Sequence, residues 1–357
     1  MIGQGRLKKY AFINAKLRGR IGNILSDDVL TNMSKTRSLG EAVRVLHDTP
    51  FQILEEVYNR TGDLKLAELE LYKKEIELYH EIERYLSGEV LDFVKALTGR
   101  YEIENLKAAI RLWFDRVIRK RNIDSLTGYL FREKIHYDLH VDQIINVDSI
   151  DGIVDVLSGT PYAQIIKNNS SQLDVSRNLF PIEIALDRYF YKQLYDKMKK
   201  LDKMDFDITK RMLGVEIDME NISWLVRFRD FYKMTMDQTL SNMIPYGHHL
   251  DRKALEDAFN TGDSTEILRS LISKKYTALS SMLAVQSADN QSKLVLLGRL
   301  LDQVILYEVK KVKGGYPFNI GIVLAYFVLK KNELRKVMTI LNAKYYNLEE
   351  DRIKSVI

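Results

Sequence analysis

The sequence predicts an all-α fold built from three homologous helical repeats. Three observations lead to this prediction. Only 5 prolines and 18 glycines occur in 357 residues, apolar residues recur with helical spacing, and short patterns return at intervals near 115 residues. Sandwiches and barrels need a higher density of turn residues. The chain is also longer than one ordinary core, so we expect it to be subdivided.

The composition is typical of a globular chain with a mixed surface. Hydrophobic residues make up 46% and charged residues 29%, which is enough apolar material for a core. The net charge of +5 is modest, and the charges alternate in sign along most segments, as on solvated helices. The basic runs 116–121 and 197–203 are better interpreted as connectors or helix ends than as a nucleic-acid face. We therefore expect no nucleic-acid partner.

The sequence also restricts the compartment. It has no cysteine, which excludes disulfides, thiolate zinc sites, iron–sulfur clusters and cysteine nucleophiles. The first twenty residues are basic and lack the apolar core of a secretory signal. The most apolar stretch, 318–329, is shorter than the roughly 20 residues that a membrane span needs. We expect a cytoplasmic protein without a spanning segment of its own.

The first repeated pattern is a Thr-Pro-aromatic step. Residues 49–51 (Thr-Pro-Phe) return as residues 160–162 (Thr-Pro-Tyr), and the serine and apolar positions before them return with the same displacement. A weaker third copy keeps Tyr276 but has Lys274 and Lys275 in place of Thr-Pro. Because proline disfavours the α conformation before it and suits a helix start, each step should end one helix and begin the next.

The second repeated pattern pairs an acid with an arginine seven residues later. Glu104-Asn105, followed by Arg111, recurs as Glu220-Asn221, followed by Arg227. The third copy lies at 333–337 and has lost the asparagine, and its aligned positions hold Arg335 and Asn342. Together the patterns predict three units at 1–118, 119–235 and 236–357.

Each unit is predicted to be helical. Residues 63–86 and 101–118 carry apolar stripes with the spacing of amphipathic helices, and Gly99 is interpreted as the break before the second. Ser26 is predicted to cap a helix whose first turn contains Asp27 and Asp28.

None of the common catalytic patterns occurs in the sequence. Residues 314–317 (Gly-Gly-Tyr-Pro) do not continue into a phosphate-binding loop, and no Gly-x-Ser-x-Gly elbow is present. His136 and His140 could bind a metal from one helix face, but a third ligand is missing. Asp27 and Asp28 lack the second acidic cluster that magnesium diphosphate would need. We expect a protein that is not an enzyme, with no catalytic, cofactor or metal site.

The repeats, together with the stretch from Tyr316 through Lys330 to Glu333, resemble one family over essentially the whole chain. The chain is similar to the central-stalk component of rotary V-type and archaeal-type ATPases, known as the C subunit in prokaryotes and the d subunit in eukaryotes. This resemblance implies a pseudo-three-fold funnel between two partners, the central shaft and the membrane proteolipid ring. It also implies torque transmission for ATP-coupled proton or sodium transport, at the cytoplasmic face of the membrane. Lys336, in place of the repeated asparagine, departs from three-fold symmetry.

Five charged side chains are candidate partner-binding residues. An acid and an arginine seven residues apart lie about 10.5 Å apart along a helix, which is long for a direct bridge. They are therefore expected to contact neighbouring helices or a partner such as the shaft. The candidates are Glu104, Arg111, Glu220, Arg227 and Arg335.

Repeat architecture alone also permits a cytosolic scaffold unrelated to rotary ATPases. Binding to the shaft subunits or to the proteolipid ring would separate the two functions.

Overall fold

The structure is a computed structural model that describes residues 2–171, 178–230, 232–260 and 303–348. Within these ranges every regular element is a helix, so the all-α prediction is confirmed. In chain order the helices are α1 Ile2–Gly22, α2 Asp27–Lys35, α3 Leu39–Arg44, α4 Gln52–Thr61, α5 Leu64–Glu83, α6 Gly88–Val117, α7 Asp124–Thr127, α8 Val141–Asn146, α9 Ile150–Val156, α10 Pro161–Asn169, α11 Phe180–Met198, α12 Lys203–Asp230, α13 Met236–Asn242, α14 Arg252–Asn260, α15 303–314 and α16 Gly321–Tyr345.

The chain divides into two compact units. The continuous unit is Leu46–Lys200, and the two-segment unit combines Met1–Val45 with Leu201–Ile357. Compact units are defined by which helices pack together, whereas repeats are defined by a recurring sequence pattern. The two compact units therefore do not test the three repeats. The division into three repeats at 1–118, 119–235 and 236–357 therefore stays a prediction.

The continuous unit is organised around α6, which packs against α5, α8 and α11. Its 30 residues make it about 45 Å long. Phe93, Leu106 and Trp113 on α6 are almost completely buried. Burying a large apolar side chain contributes about 1.5–3 kcal/mol, so this face of α6 anchors the unit.

The two-segment unit is organised around α16, as the continuous unit is around α6. Helices α1, α2 and α3 all pack against α16, and α12 packs against α16 as well as α13 and α14. The core includes Tyr10 and Leu17 of α1 and Ile340 and Leu341 of α16, none of which is exposed. The N-terminal and C-terminal parts of the chain thus share one core.

Several helix boundaries agree with the sequence prediction because their causes are local. The Ser26 side chain accepts a hydrogen bond from the Val29 amide at the start of α2. The predicted helix at 63–86 is α5, and Asp63 caps it. Thr160 caps α10, whose first residue is Pro161. Side-chain caps of this kind satisfy backbone donors that have no partner within the helix.

The predicted break at Gly99 is wrong. Helix α6 runs without interruption from Gly88 to Val117. A glycine inside a helix costs only about 1 kcal/mol relative to alanine, and the buried apolar face of α6 outweighs that cost. The weak third copy of the Thr-Pro-aromatic pattern, at 268–276, lies outside the described residues.

Candidate partner-binding site

The repeated Thr-Pro-aromatic steps have the same geometry in both described copies. The Thr49 hydroxyl donates to the Leu46 carbonyl at 2.6 Å and accepts from the Phe51 amide at 3.2 Å. The Thr160 hydroxyl donates to the carbonyl of residue 157 at 2.8 Å and accepts from the amide of residue 162 at 3.2 Å. All of these contacts are local, so in both described copies the threonine shapes a turn.

The repeated asparagines fix the segment that follows each long helix. Asn105 of α6 donates to the Phe131 carbonyl at 2.7 Å and accepts from the Phe131 amide at 3.1 Å. Asn221 of α12 makes the same pair of bonds with Ile244, both at 2.8 Å. Both asparagines are buried. Because a buried polar group needs hydrogen-bond partners, their role is structural.

Glu104 and Arg111 lie on the side of α6 that packs against α11. Glu104 pairs with Lys107 at 2.8 Å, and the same ammonium contacts Asp187 of α11 at 2.8 Å. Arg111 pairs with Glu183 of α11 at 2.6 Å. The acid and the arginine do not bridge to each other in this arrangement. The arginine instead contacts the neighbouring helix.

Burial affects these charged groups in different ways. Burial raises the pKa of Asp187, and the nearby Lys107 ammonium only partly opposes it. Burial would lower the pKa of Arg111, but the hydrogen bond and charge of Glu183 raise it above its usual value. Arg111 therefore stays charged and held in the helix contact.

The remaining candidates lie in the two-segment unit. Glu220 is half-buried on α12, whereas Arg227 is exposed on the same helix. Among the described residues, none pairs with the Arg227 guanidinium. Arg335 is exposed on α16 and donates to the Asn332 amide oxygen at 2.9 Å. Arg227 and Arg335 are thus the exposed candidates in this unit.

A buried carboxylate in the two-segment unit was missed by the sequence analysis. Asp205 of α12 has no exposed surface and accepts hydrogen bonds from the Tyr10 hydroxyl, the Ile320 amide and the Arg6 guanidinium. Burial, together with this carboxylate, raises the pKa of Tyr10 well above its usual value. The three donors come from distant parts of the chain, so no local pattern could have revealed the site.

A second buried carboxylate, Glu102, overturns the idea that two histidines share a helix face. It accepts hydrogen bonds from the backbone amides of His136 and Tyr137, both at 2.7 Å. Residues 131–140 are not helical, and His140 has a φ of 46°. The His136 ring contacts the Thr98 hydroxyl instead. Across the described parts of the chain, no group of three or more acidic or histidine side chains could hold a metal ion.

Hydropathy gives one further observation. None of the helices in the described ranges is both long and apolar enough to cross a membrane.

Nearly the whole chain matches one known protein family. A family model described as ATP synthase (C/AC39) subunit matches residues 13–356. The chain belongs to this family. Its members are stalk components of the synthase and not catalytic ones, so the prediction that the chain is not an enzyme is confirmed.

The names of individual relatives agree with this family assignment. The chain is 25% identical over 354 residues to the A-type ATP synthase C subunit of Methanocaldococcus jannaschii, covering 98% of this chain and 86% of that protein. It is 22% identical over 335 residues to the corresponding protein of Methanosphaera stadtmanae, covering 94% and 84%. It is also 22% identical over 352 residues to that of Methanococcoides burtonii, covering 98% and 94%. The similarity therefore spans most of each protein.

Proposed function

We propose that this chain is the non-catalytic central-stalk component of an archaeal-type ATP synthase. The observation that carries the proposal is the family match over 13–356, together with relatives named as the C subunit of the A-type ATP synthase. In this role the chain links the rotating shaft to the membrane proteolipid ring and transmits torque for proton or sodium transport. It sits as a peripheral protein on the cytoplasmic face of the membrane. The alternative of an unrelated scaffold is not favoured.

The packing within each unit suits a mechanical role. Helices α6, α12 and α16 are 30, 28 and 25 residues long. Buried side chains with satisfied hydrogen bonds hold these helices to the segments beside them, as Asn105 and Asp205 do. Fully satisfied polar networks make a core rigid. A rigid body passes on a torque with little internal deformation.

The test is to remove the chain from an assembled synthase. We expect the isolated chain to show no ATPase activity, because its sequence has no phosphate-binding loop. Complexes reconstituted without it should still hydrolyse ATP at the head but should lose ATP-driven ion transport into vesicles. Coupled transport that persists without the chain would refute the torque-link role.

We further propose that Arg227 and Arg335, the two exposed candidate arginines of the two-segment unit, contribute to binding the shaft. Arg227 is the better probe, since no ion pair with a described residue is lost when it is changed. We expect Arg227→Glu to weaken shaft binding in pull-down or calorimetry without changing the melting temperature. The candidate charges also include two acids, and the double variant Glu104→Lys with Glu220→Lys tests whether those faces take part.

Two controls separate binding from folding. Arg111→Glu breaks the contact with Glu183 and should lower the melting temperature. Arg60→Glu changes an exposed arginine of α4, outside the candidate set, and should leave shaft affinity unchanged. If Arg227→Glu and Arg60→Glu behave alike, Arg227 has no role in binding the shaft, although the stalk function itself could still hold.

A further inference from the structure

Two long helices hold the segment that follows them through a buried carboxylate. Glu102 of α6 accepts from the amides of His136 and Tyr137. Asp218, 116 positions later on α12, accepts from the amides of residues 249–250 at 2.7 and 3.2 Å. Both carboxylates are almost completely buried. The two helices therefore use the same device to hold a non-helical backbone segment.

The third long helix makes this contact with the other end of the chain. Glu333 of α16 lies 115 positions after Asp218 and is also buried. It accepts from the amide of Leu25 at 2.7 Å. Leu25 and His136 are 111 positions apart, the same displacement as the two Thr-Pro-aromatic steps.

A second contact keeps the same register. The Trp113 indole of α6 donates to the Val147 carbonyl at 2.9 Å. On α16 the Lys344 ammonium donates to the carbonyls of Ser34 and Thr36. Trp113 and Lys344 are 231 positions apart, as are Glu102 and Glu333, and Thr36 and Val147 are again 111 apart. Two independent contacts thus align the N-terminal segment 25–36 with the segment 136–147.

The chemistry of the contact on α16 is different. Among the described residues, Glu102 accepts from neutral groups, the third being the Tyr162 hydroxyl at 2.7 Å. Glu333 also pairs with Lys330 at 2.9 Å, and both of these side chains are buried. Both carboxylates accept charge-assisted bonds from backbone amides, and the Lys330 pair lies within α16 itself. The bonds from the Lys344 ammonium to the segment are charge-assisted as well, whereas the Trp113 indole makes a neutral bond, which is roughly half as strong. Segment 25–36 is not the direct continuation of α16, so a longer loop has to close when the segment docks. Closing a longer loop costs more entropy, and stronger bonds offset that cost.

We propose that segment 25–36 is a docked strap. It occupies on α16 the position that segment 136–147 occupies on α6 and segment 249–250 occupies on α12. Segments 136–147 and 249–250 are joined to their helices by short connections. The strap is joined to α16 only through the rest of the chain. It therefore opens and closes on α16 as a separate event, while the segments on α6 and α12 stay closed.

Hydrogen–deuterium exchange of the full-length chain tests this proposal. In Glu333→Gln and in Lys344→Met, exchange over 25–36 should accelerate about tenfold, as expected for a buried hydrogen bond lost. Exchange over 136–147 should stay unchanged. In the corresponding variant Glu102→Gln, exchange over 136–147 should accelerate and exchange over 25–36 should stay unchanged. Lys331→Met is the matched control, since Lys331 lies on α16 but pairs with Glu216 of α12.

The unaltered protein provides a second measurement if a variant fails to fold. At low denaturant, amides in 25–36 should open in a step of their own, at lower denaturant than those of 249–250, which lie in the same unit. The proposal is overturned if both segments open together, or if Glu333→Gln accelerates both equally. It is also overturned if Lys331→Met accelerates exchange over 25–36 as much as Glu333→Gln does.

Discussion

Asn105 and Asn221 each satisfy both backbone groups of one residue in a neighbouring segment. Replacing either with alanine leaves a buried amide and a buried carbonyl without a partner. We expect Asn105→Ala and Asn221→Ala each to lower the free energy of unfolding by about 2–3 kcal/mol. Urea unfolding followed by circular dichroism measures the change. Asn168→Ala, on the exposed surface of α10, is the control and should have little effect.

His47 provides a prediction about pH. The hydrogen bond from its ring to Glu55, at 2.8 Å, raises the pKa of His47 above 6.5, and Asp48 adds to the effect. Glu55→Gln should therefore return the pKa of His47 towards 6.5 in an NMR titration. Glu56→Gln should lower it less, since Glu56 is the weakest of the contributing charges.

The sign of the stability effect follows from the direction of that shift. A histidine whose pKa is raised on folding stabilises the folded state fully below pH 6.5, and the contribution is lost as pH rises through the folded pKa of His47. Any loss of stability in Glu55→Gln should therefore appear in acid and fade above that pKa. A loss that grows with rising pH would contradict this assignment.

At the scale of elements, the continuity of α6 through Gly99 can be tested directly. In the part of the chain that the structure describes, the nearest side chain to a Cβ atom at Gly99 would be the His136 ring, at 3.8 Å. We expect Gly99→Ala to stabilise the chain by about 0.5–1 kcal/mol, because alanine loses less backbone entropy in a helix. Thermal unfolding measures the difference.

Gly62 provides the opposite control. It ends α4 with a φ of 68°, which side chains other than glycine rarely adopt. Gly62→Ala should destabilise the chain by about 1–2 kcal/mol. If Gly99→Ala is as destabilising as Gly62→Ala, α6 does not run straight through position 99 in solution.

The helix caps and the helical spacing could be predicted from the sequence, because Ser26, Asp63 and Thr160 act on amides two or three residues away. The contacts of Asp205 and Glu333 could not, because their partners lie more than a hundred positions away. Among the candidate charges, the sequence predicted that the separation of Arg111 and Glu104 is long for a direct bridge. Only the structure identified Glu183 as its partner.

At the scale of the whole molecule, the proposed attachment to the proteolipid ring predicts a salt dependence. Contacts between polar loops and exposed charges are screened over about 10 Å at 0.1 M salt. Co-sedimentation of the chain with ring-containing vesicles should therefore decrease as salt is raised. Shaft binding measured in parallel shows whether the protein remains folded. Ring binding that is independent of ionic strength would assign the contact to apolar packing.

The division of the two-segment unit affects how the protein folds during synthesis. Residues 46–200 leave the ribosome as one stretch, and domains generally fold as units as they emerge. Residues 1–45 emerge earlier, but Tyr10 meets Asp205, and Arg6 meets the carbonyl of Phe318, only when those positions have been translated. The first helix made is therefore among the last to find its core. Until then its apolar face has to be kept from aggregation, so a nascent-chain chaperone would be most useful on α1.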